Sequence, residues 1–191
     1  SGTERIQQFV DGLNKFFEFN KNNEFDILIT DNTISDNKLP QEILDIIPDK
    51  CNIITCMNNN YGCINKGSGV IEQWNYNKDF IKNYKWLIYF EPRQILQTNN
   101  FINSFLENPR NLFTLGKEQN HFNTGLFCIE VITLINYISE VTPKSLIDKT
   151  EGIEYSIYNY FQKSFINFDI RDKMDLIWYD VMNIHNPIRL M

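Results

Sequence analysis

Four β-prone residues, Ile27, Leu28, Ile29 and Thr30, run straight into Asp31 and Asn32, and this junction limits the fold more than any other stretch. A short run of this kind, bounded by polar residues, predicts a buried strand over residues 26–30, as in a parallel sheet. Ligands of open α/β sheets sit outside the carboxyl ends of such strands. Asp31 therefore stands where a binding residue belongs, placed to accept hydrogen bonds from a ribose or a base edge. Asp31 and Asn32 also start turns well, because their side chains bond nearby backbone. The residues alone leave both roles open.

Spacing of apolar residues orders the rest of the chain. Ile6, Phe9, Val10, Leu13, Phe16 and Phe17 mark one face of a helix over residues 3–19, capped by Ser1 or Thr3. Pro40 opens a short helix that ends before Pro48. Strands are expected at 52–56 and 86–90, with a helix at 70–84 between them. Beyond these, helices are expected at 101–106, 131–139 and 151–162, and strands at 111–115, 122–129, 165–168 and 177–182. The alternation α-β-α-β-α-β of the first half predicts an α/β protein: a Rossmann-like, mostly parallel sheet with helices on both faces. The second half adds a small antiparallel element. No repeat or low-complexity linker interrupts residues 1–191, which read as one domain. A strand before the first helix, usual in such a sheet, is expected upstream of Ser1. The opening without Met and the ending at Arg189, Leu190 and Met191 suggest that more chain flanks both ends.

Composition removes several classes. Hydrophobic residues make up 42% of the 191-residue chain and aromatics 14%, which suits a folded domain with a real core. A net charge of −6 argues against a nucleic-acid partner, which needs a basic face. No apolar run approaches the ~20 residues that span a membrane. Cys51, Cys56, Cys63 and Cys128 fit no zinc spacing, and His121 and His185 lie far from them. They read as reduced thiols, which places the chain in the cytoplasm.

Five loops carry the chemistry. Asn58 to Gly69 follows a strand and precedes a helix; it holds Asn60, Gly62, Lys66 and Gly67. Its glycines allow close approach to a ligand, and Lys66 suits a diphosphate; a solvated connector reads equally well. The third strand ends in Glu91, Pro92 and Arg93. Glu91 is a ligand for Mg²⁺ or Mn²⁺, or a plain ion-pair partner of Arg93, which otherwise clamps a phosphate. Asn123, Thr124 and Gly125 precede an apolar strand and can serve sugar hydroxyls. Glu151 and Glu154 open a helix, where acids stabilise the dipole; alternatively one of them is a general base. His185, near the end, is a possible metal ligand or part of a polar tail.

In this order the pieces resemble the glycosyltransferases of the GT-A fold. Asp31, Asn32, Thr33, Ser35 and Asp36 resemble that family's Val-Asp-Asn-x-Ser-x-Asp element, in which the acid contacts the base or ribose. Asn60-x-Gly62 and Asn65, Lys66, Gly67 are similar to its Asn-x-Gly segments beneath the diphosphate. Phe122, Asn123, Thr124 and Gly125 resemble its Phe-Asn-Ser/Thr-Gly strand at the sugar site. Glu151 and Glu154 fall where the family places its base. Glu91 falls where it carries Asp-x-Asp, so the resemblance implies Mn²⁺ or Mg²⁺ on Glu91, or Arg93 and Lys66 in the cation's place. It covers about residues 3–163. The resemblance implies an inverting transferase that takes a nucleotide-diphosphate sugar, UDP-type, and a glycan or protein acceptor. A sugar-phosphate nucleotidyltransferase and a non-catalytic nucleotide-sugar-binding scaffold are the two rivals.

Overall fold

The structure is a computed structural model that describes residues 2–35, 38–179 and 188–190. It is a mixed α/β protein. Helix α1 (Gly2–Asn20) leads to β1 (Leu28–Asp31), α2 (Gln41–Leu44) and β2 (Asn52–Thr55). Next come α3 (Lys66–Tyr76), α4 (Lys78–Ile81), β3 (Trp86–Phe90), β4 (Gln94–Leu96), α5 (Asn100–Glu107) and β5 (Leu112–Phe113). The chain continues through β6 (Leu126–Glu130), α6 (Val131–Glu140), α7 (Pro143–Lys149), α8 (Ile153–Lys163), β7 (Asp169–Ile170), β8 (Leu176–Tyr179) and β9 (Ile188–Leu190).

The mostly parallel sheet is the main correction. Strands β1 and β2 pair in parallel by themselves. A second sheet runs β3-β6-β5-β7, antiparallel at β3-β6 and β6-β5 and parallel only at β5-β7. The third, β4-β8-β9, is antiparallel throughout. The parallel expectation rested on the α-β-α-β-α-β order and on the apolar run at β1; burial on both faces writes the same unbroken pattern into the antiparallel strands β3 and β6. Here both faces are covered although the pairing is antiparallel.

The pleat divides the core. Leu87 and Tyr89 of β3, Phe127 and Ile129 of β6 and Phe113 of β5 face one side, where Trp74 of α3, Leu134 and Tyr137 of α6 and Ile157 and Phe161 of α8 cover them. Trp86, Ile88, Phe90, Leu126, Cys128 and Leu112 face the other side, under Phe16 and Phe19 of α1 and Phe101, Ile102 and Phe105 of α5. Phe16 stacks on Phe90 with ring centroids 5.2 Å apart. The aromatic face predicted for α1 is thus the face it packs inward.

Helix α3 joins the first two sheets. Its Gln73 amide donates to Thr30 O (3.0 Å) and its Asn77 amide to Thr30 Oγ1 (2.8 Å), both on β1. Its Trp74 packs edge-on against Tyr89 of β3, with centroids 5.7 Å apart. The helix begins at Lys66, not near residue 70 as expected, because Asn65 accepts from Ser68 N (3.1 Å) and caps it early.

Candidate functional site

The predicted residues gather at two polar nodes. The first lies at the carboxyl end of β1. Asp31 Oδ1 accepts from both Thr33 N and Thr33 Oγ1 at 2.6 Å, the local turn that its residue type favours. Asn32 is buried, and its amide donates to Gly69 O (2.8 Å), fixing the strand end to the first turn of α3. Asn60 is exposed; its backbone N–H, with that of Tyr61, donates to the Glu72 carboxylate at 3.1 and 3.0 Å. Glu72 is buried, at 8% exposure, and shapes the loop that holds Asn60 and Gly62. Lys66 is exposed on the first turn of α3. Gly67 is buried against α8: a methyl there would stand 2.8 Å from Ile153 Cβ.

The second node lies where β3 ends and β6 begins. Glu91 N donates to Gly125 O (2.8 Å), which extends the β3-β6 pairing and brings the two strand ends together. Gln94 N donates to Glu91 O (3.1 Å), closing the turn Glu91, Pro92, Arg93, Gln94. Arg93 Nη2 donates to Glu91 Oε1; the two side chains are 24% and 29% exposed, so the pair is partly shielded from water. Thr124 Oγ1 donates to Glu154 Oε1 (3.3 Å). The Asn123 amide turns inward instead and donates to Leu115 O (2.9 Å). Tyr89 senses all three charged groups. Burial, then Glu91, pushes its hydroxyl well above the usual value; Arg93 pulls it down and Glu154 adds to the rise.

The nodes touch through α3 and the start of α8. The Asn65 amide donates to Glu151 O (3.0 Å), on the strand-like segment that leads into α8. Glu151 itself turns away from Thr124 and accepts from the Asn159 amide (2.9 Å). Of the two predicted acids, Glu154 is the one set against Thr124, and it acts with Glu91 and Arg93 on the Tyr89 hydroxyl. His185 and Asp36 lie outside the described residues.

Two residues of the site were not anticipated. Gln94 is 3% exposed; its amide covers Gly125, and among the described residues Oε1 has no hydrogen-bond partner. A methyl on Gly125 would stand 2.6 Å from Gln94 Cδ, so the glycine is required by the close approach of this amide. Glu72 is the other. Its signal was a charge inside an apolar helical run, between Ile71 and Trp74, where a buried partner has to exist.

Of the two predicted metal ligands, Glu91 is described and His185 lies outside the described residues. Among the described residues no three His, Cys, Asp or Glu side chains converge. Glu91 is the one carboxylate in its turn, and Arg93 occupies one of its oxygens. All four cysteines are free thiols. Burial raises those of Cys51, Cys56 and Cys128 above the usual value. Among the described residues no helix is long and apolar enough to cross a membrane.

No protein-family model matches the chain, and neither does any curated protein.

Proposed function

We propose that the chain is a GT-A glycosyltransferase that moves a sugar from a nucleotide diphosphate to an acceptor hydroxyl with inversion. The observation that carries this reading is the meeting of Glu154, Thr124 and the Glu91–Arg93 turn at the adjoining ends of β3 and β6. One carboxylate in contact with a hydroxyl, beside a partly shielded guanidinium, supplies a proton acceptor and an anion partner in one place.

In this reading the acceptor hydroxyl attacks the anomeric carbon and gives its proton to Glu154. The bond from that carbon to the diphosphate oxygen breaks, and the electron pair leaves with the diphosphate. Arg93 exchanges Glu91 for the diphosphate and offsets the charge that develops there, with Lys66 at the start of α3 as the second cation. Asp31 retains its second carboxylate oxygen for a ribose hydroxyl. Thr124 and the close backbone at Gly125 orient the sugar. The cytoplasm, with its reduced thiols and nucleotide sugars, suits such an enzyme.

The rival with an observation behind it is the non-catalytic scaffold, since Glu91 and Arg93 already satisfy one another. Incubation with UDP-sugars and free-sugar or glycan acceptors separates the two. Release of UDP in step with glycoside formation supports the transferase. UDP-sugar binding without turnover selects the scaffold, and no binding by any nucleotide-diphosphate sugar removes both.

A further inference from the structure

A cleft of about 610 Å³ opens between the end of α6, the α7–α8 turn and one face of α8, beside the site described above. Its charged lining is Glu140 and Glu151 against Lys149 and Lys163, which cancel. A wall with no net charge selects no phosphate and no cation. What remains is polar and aromatic. Asn159 and Glu151, both lining residues, hydrogen-bond one another (2.9 Å). Tyr155 is 37% exposed and forms part of the wall. His121 backs its ring, with centroids 4.5 Å apart, which fixes the ring as a platform. Planar aromatic surface beside amide and carboxylate groups suits a neutral ring rich in hydroxyls, one face apolar and its edge polar.

Glu154 connects this cleft to the reacting end. Its Oε1 accepts from Thr124 (3.3 Å), while its Oε2 bends back over Gly152: a methyl on Gly152 would stand 2.9 Å from it. Gly152 is itself part of the cleft wall. One wall residue of the cleft thus packs against the carboxylate that meets Thr124.

We propose that the cleft is the acceptor subsite and that its occupant is a neutral sugar stacked on Tyr155, with Asn159 and Glu151 bonding its edge. The assignment of the cleft to the acceptor rests on the transferase reading above; the binding of a neutral sugar does not.

Saturation-transfer NMR on the full chain, with no donor, tests this with free glucose, galactose, mannose and N-acetylglucosamine as probes. At least one sugar is expected to take up saturation on the protons of one ring face. Tyr155→Ala is expected to weaken that binding severalfold, while Tyr155→Phe retains it and Asp79→Asn, in an exposed ion pair outside the site, leaves it unchanged. Asn159→Ala weakens it without touching the platform, which keeps the test open if Tyr155→Ala misfolds. No saturation of any probe overturns the proposal, and so does binding that survives both Tyr155→Ala and Asn159→Ala or is lost in Asp79→Asn. Sugar binding in the cleft with no response to any nucleotide-diphosphate sugar keeps the cleft and removes the transferase; the reverse removes the cleft alone.

Discussion

Glu154 bears the reaction in the proposed mechanism, so its replacement is the sharpest substitution. Glu154→Gln keeps the shape and the acceptor for Thr124 Oγ1 but cannot take a proton. Turnover is expected to fall by about 10²–10⁴-fold with donor affinity unchanged. Glu151→Gln, which disturbs the contact with Asn159, leaves the chemical step in place. The reversed result would move the base to Glu151. Tyr137 allows a test independent of function. It is fully buried, among the described residues its hydroxyl has no hydrogen-bond partner of good geometry, and burial pushes that hydroxyl well above its usual value of 10, against a smaller pull from the Ser156 side chain. The folded state then holds the proton more tightly than the unfolded chain does. Its contribution is complete below pH 10 and is lost as pH rises past the unfolded value toward the folded one. Tyr137→Phe is expected to change stability at neutral pH by less than about 1 kcal/mol, because an unmade hydrogen bond is removed. It should also flatten the decline of melting temperature above pH 10. A large loss at neutral pH would mean that the hydroxyl is bonded after all. Thr124, Gly125 and Glu154 could be found from sequence because each sits in a local motif beside a strand or helix end. Gln94 could not: its burial depends on Gly125, 31 positions away, and nothing local to Gln94, Ile95 and Leu96 reports it.

Strand β3 is paired on one side only among the described residues. Glu91 N donates to Gly125 O and Lys85 O accepts from Val131 N, the residues flanking β6, so the alternation of an antiparallel ladder sends Leu87 and Tyr89 the same way and turns the backbone of Trp86, Ile88 and Phe90 outward. All five side chains of β3 are half-buried, whereas Leu126, Phe127, Cys128 and Ile129 of β6 are fully buried. Hydrogen exchange is therefore expected to alternate along β3, slow at Leu87 and Tyr89 and fast at Trp86, Ile88 and Phe90. Uniform protection would show that a further strand covers this edge. The elements readable in advance were those with a long period or a marked cap: α1, α6 and α8 fall within a residue or two of expectation. Strand β4 was missed because three residues carry no period. Helix α7 was missed although Thr142 caps it and Pro143 stands in its first turn, a start signal that was present and unread. Pairing direction was the least accessible property. Burial on both faces writes the same apolar run into parallel and antiparallel strands, and only long-range contacts decide between them.

The molecule as a whole carries a charge of −6, and in the proposed function it holds a nucleotide diphosphate, itself anionic, so that reading requires cations concentrated where the diphosphate binds. Arg93 is the cation the fold presents at the end of β3, and in the proposed function it meets the diphosphate. Donor binding is therefore expected to survive EDTA. At ~100 times its dissociation constant a donor adds about 2.7 kcal/mol to the folded state, a rise of roughly 5–10 °C in melting temperature for a chain of this size. That rise should be equal in EDTA and in Mn²⁺. Arg93→Ala should weaken donor binding by about 10–100-fold, the worth of a charge-assisted contact to phosphate, and Arg93→Lys should restore it only in part because the planar fork is lost. Glu91→Gln separates the two ways of neutralising charge. It frees Arg93 from its partner, so donor affinity should hold or rise if Arg93 meets the diphosphate. If Glu91 instead holds a cation that the diphosphate completes, the same variant loses affinity and the wild-type response disappears in EDTA. The two variants and the chelator thus give opposite patterns for a guanidinium and for a metal ion at one turn of the chain.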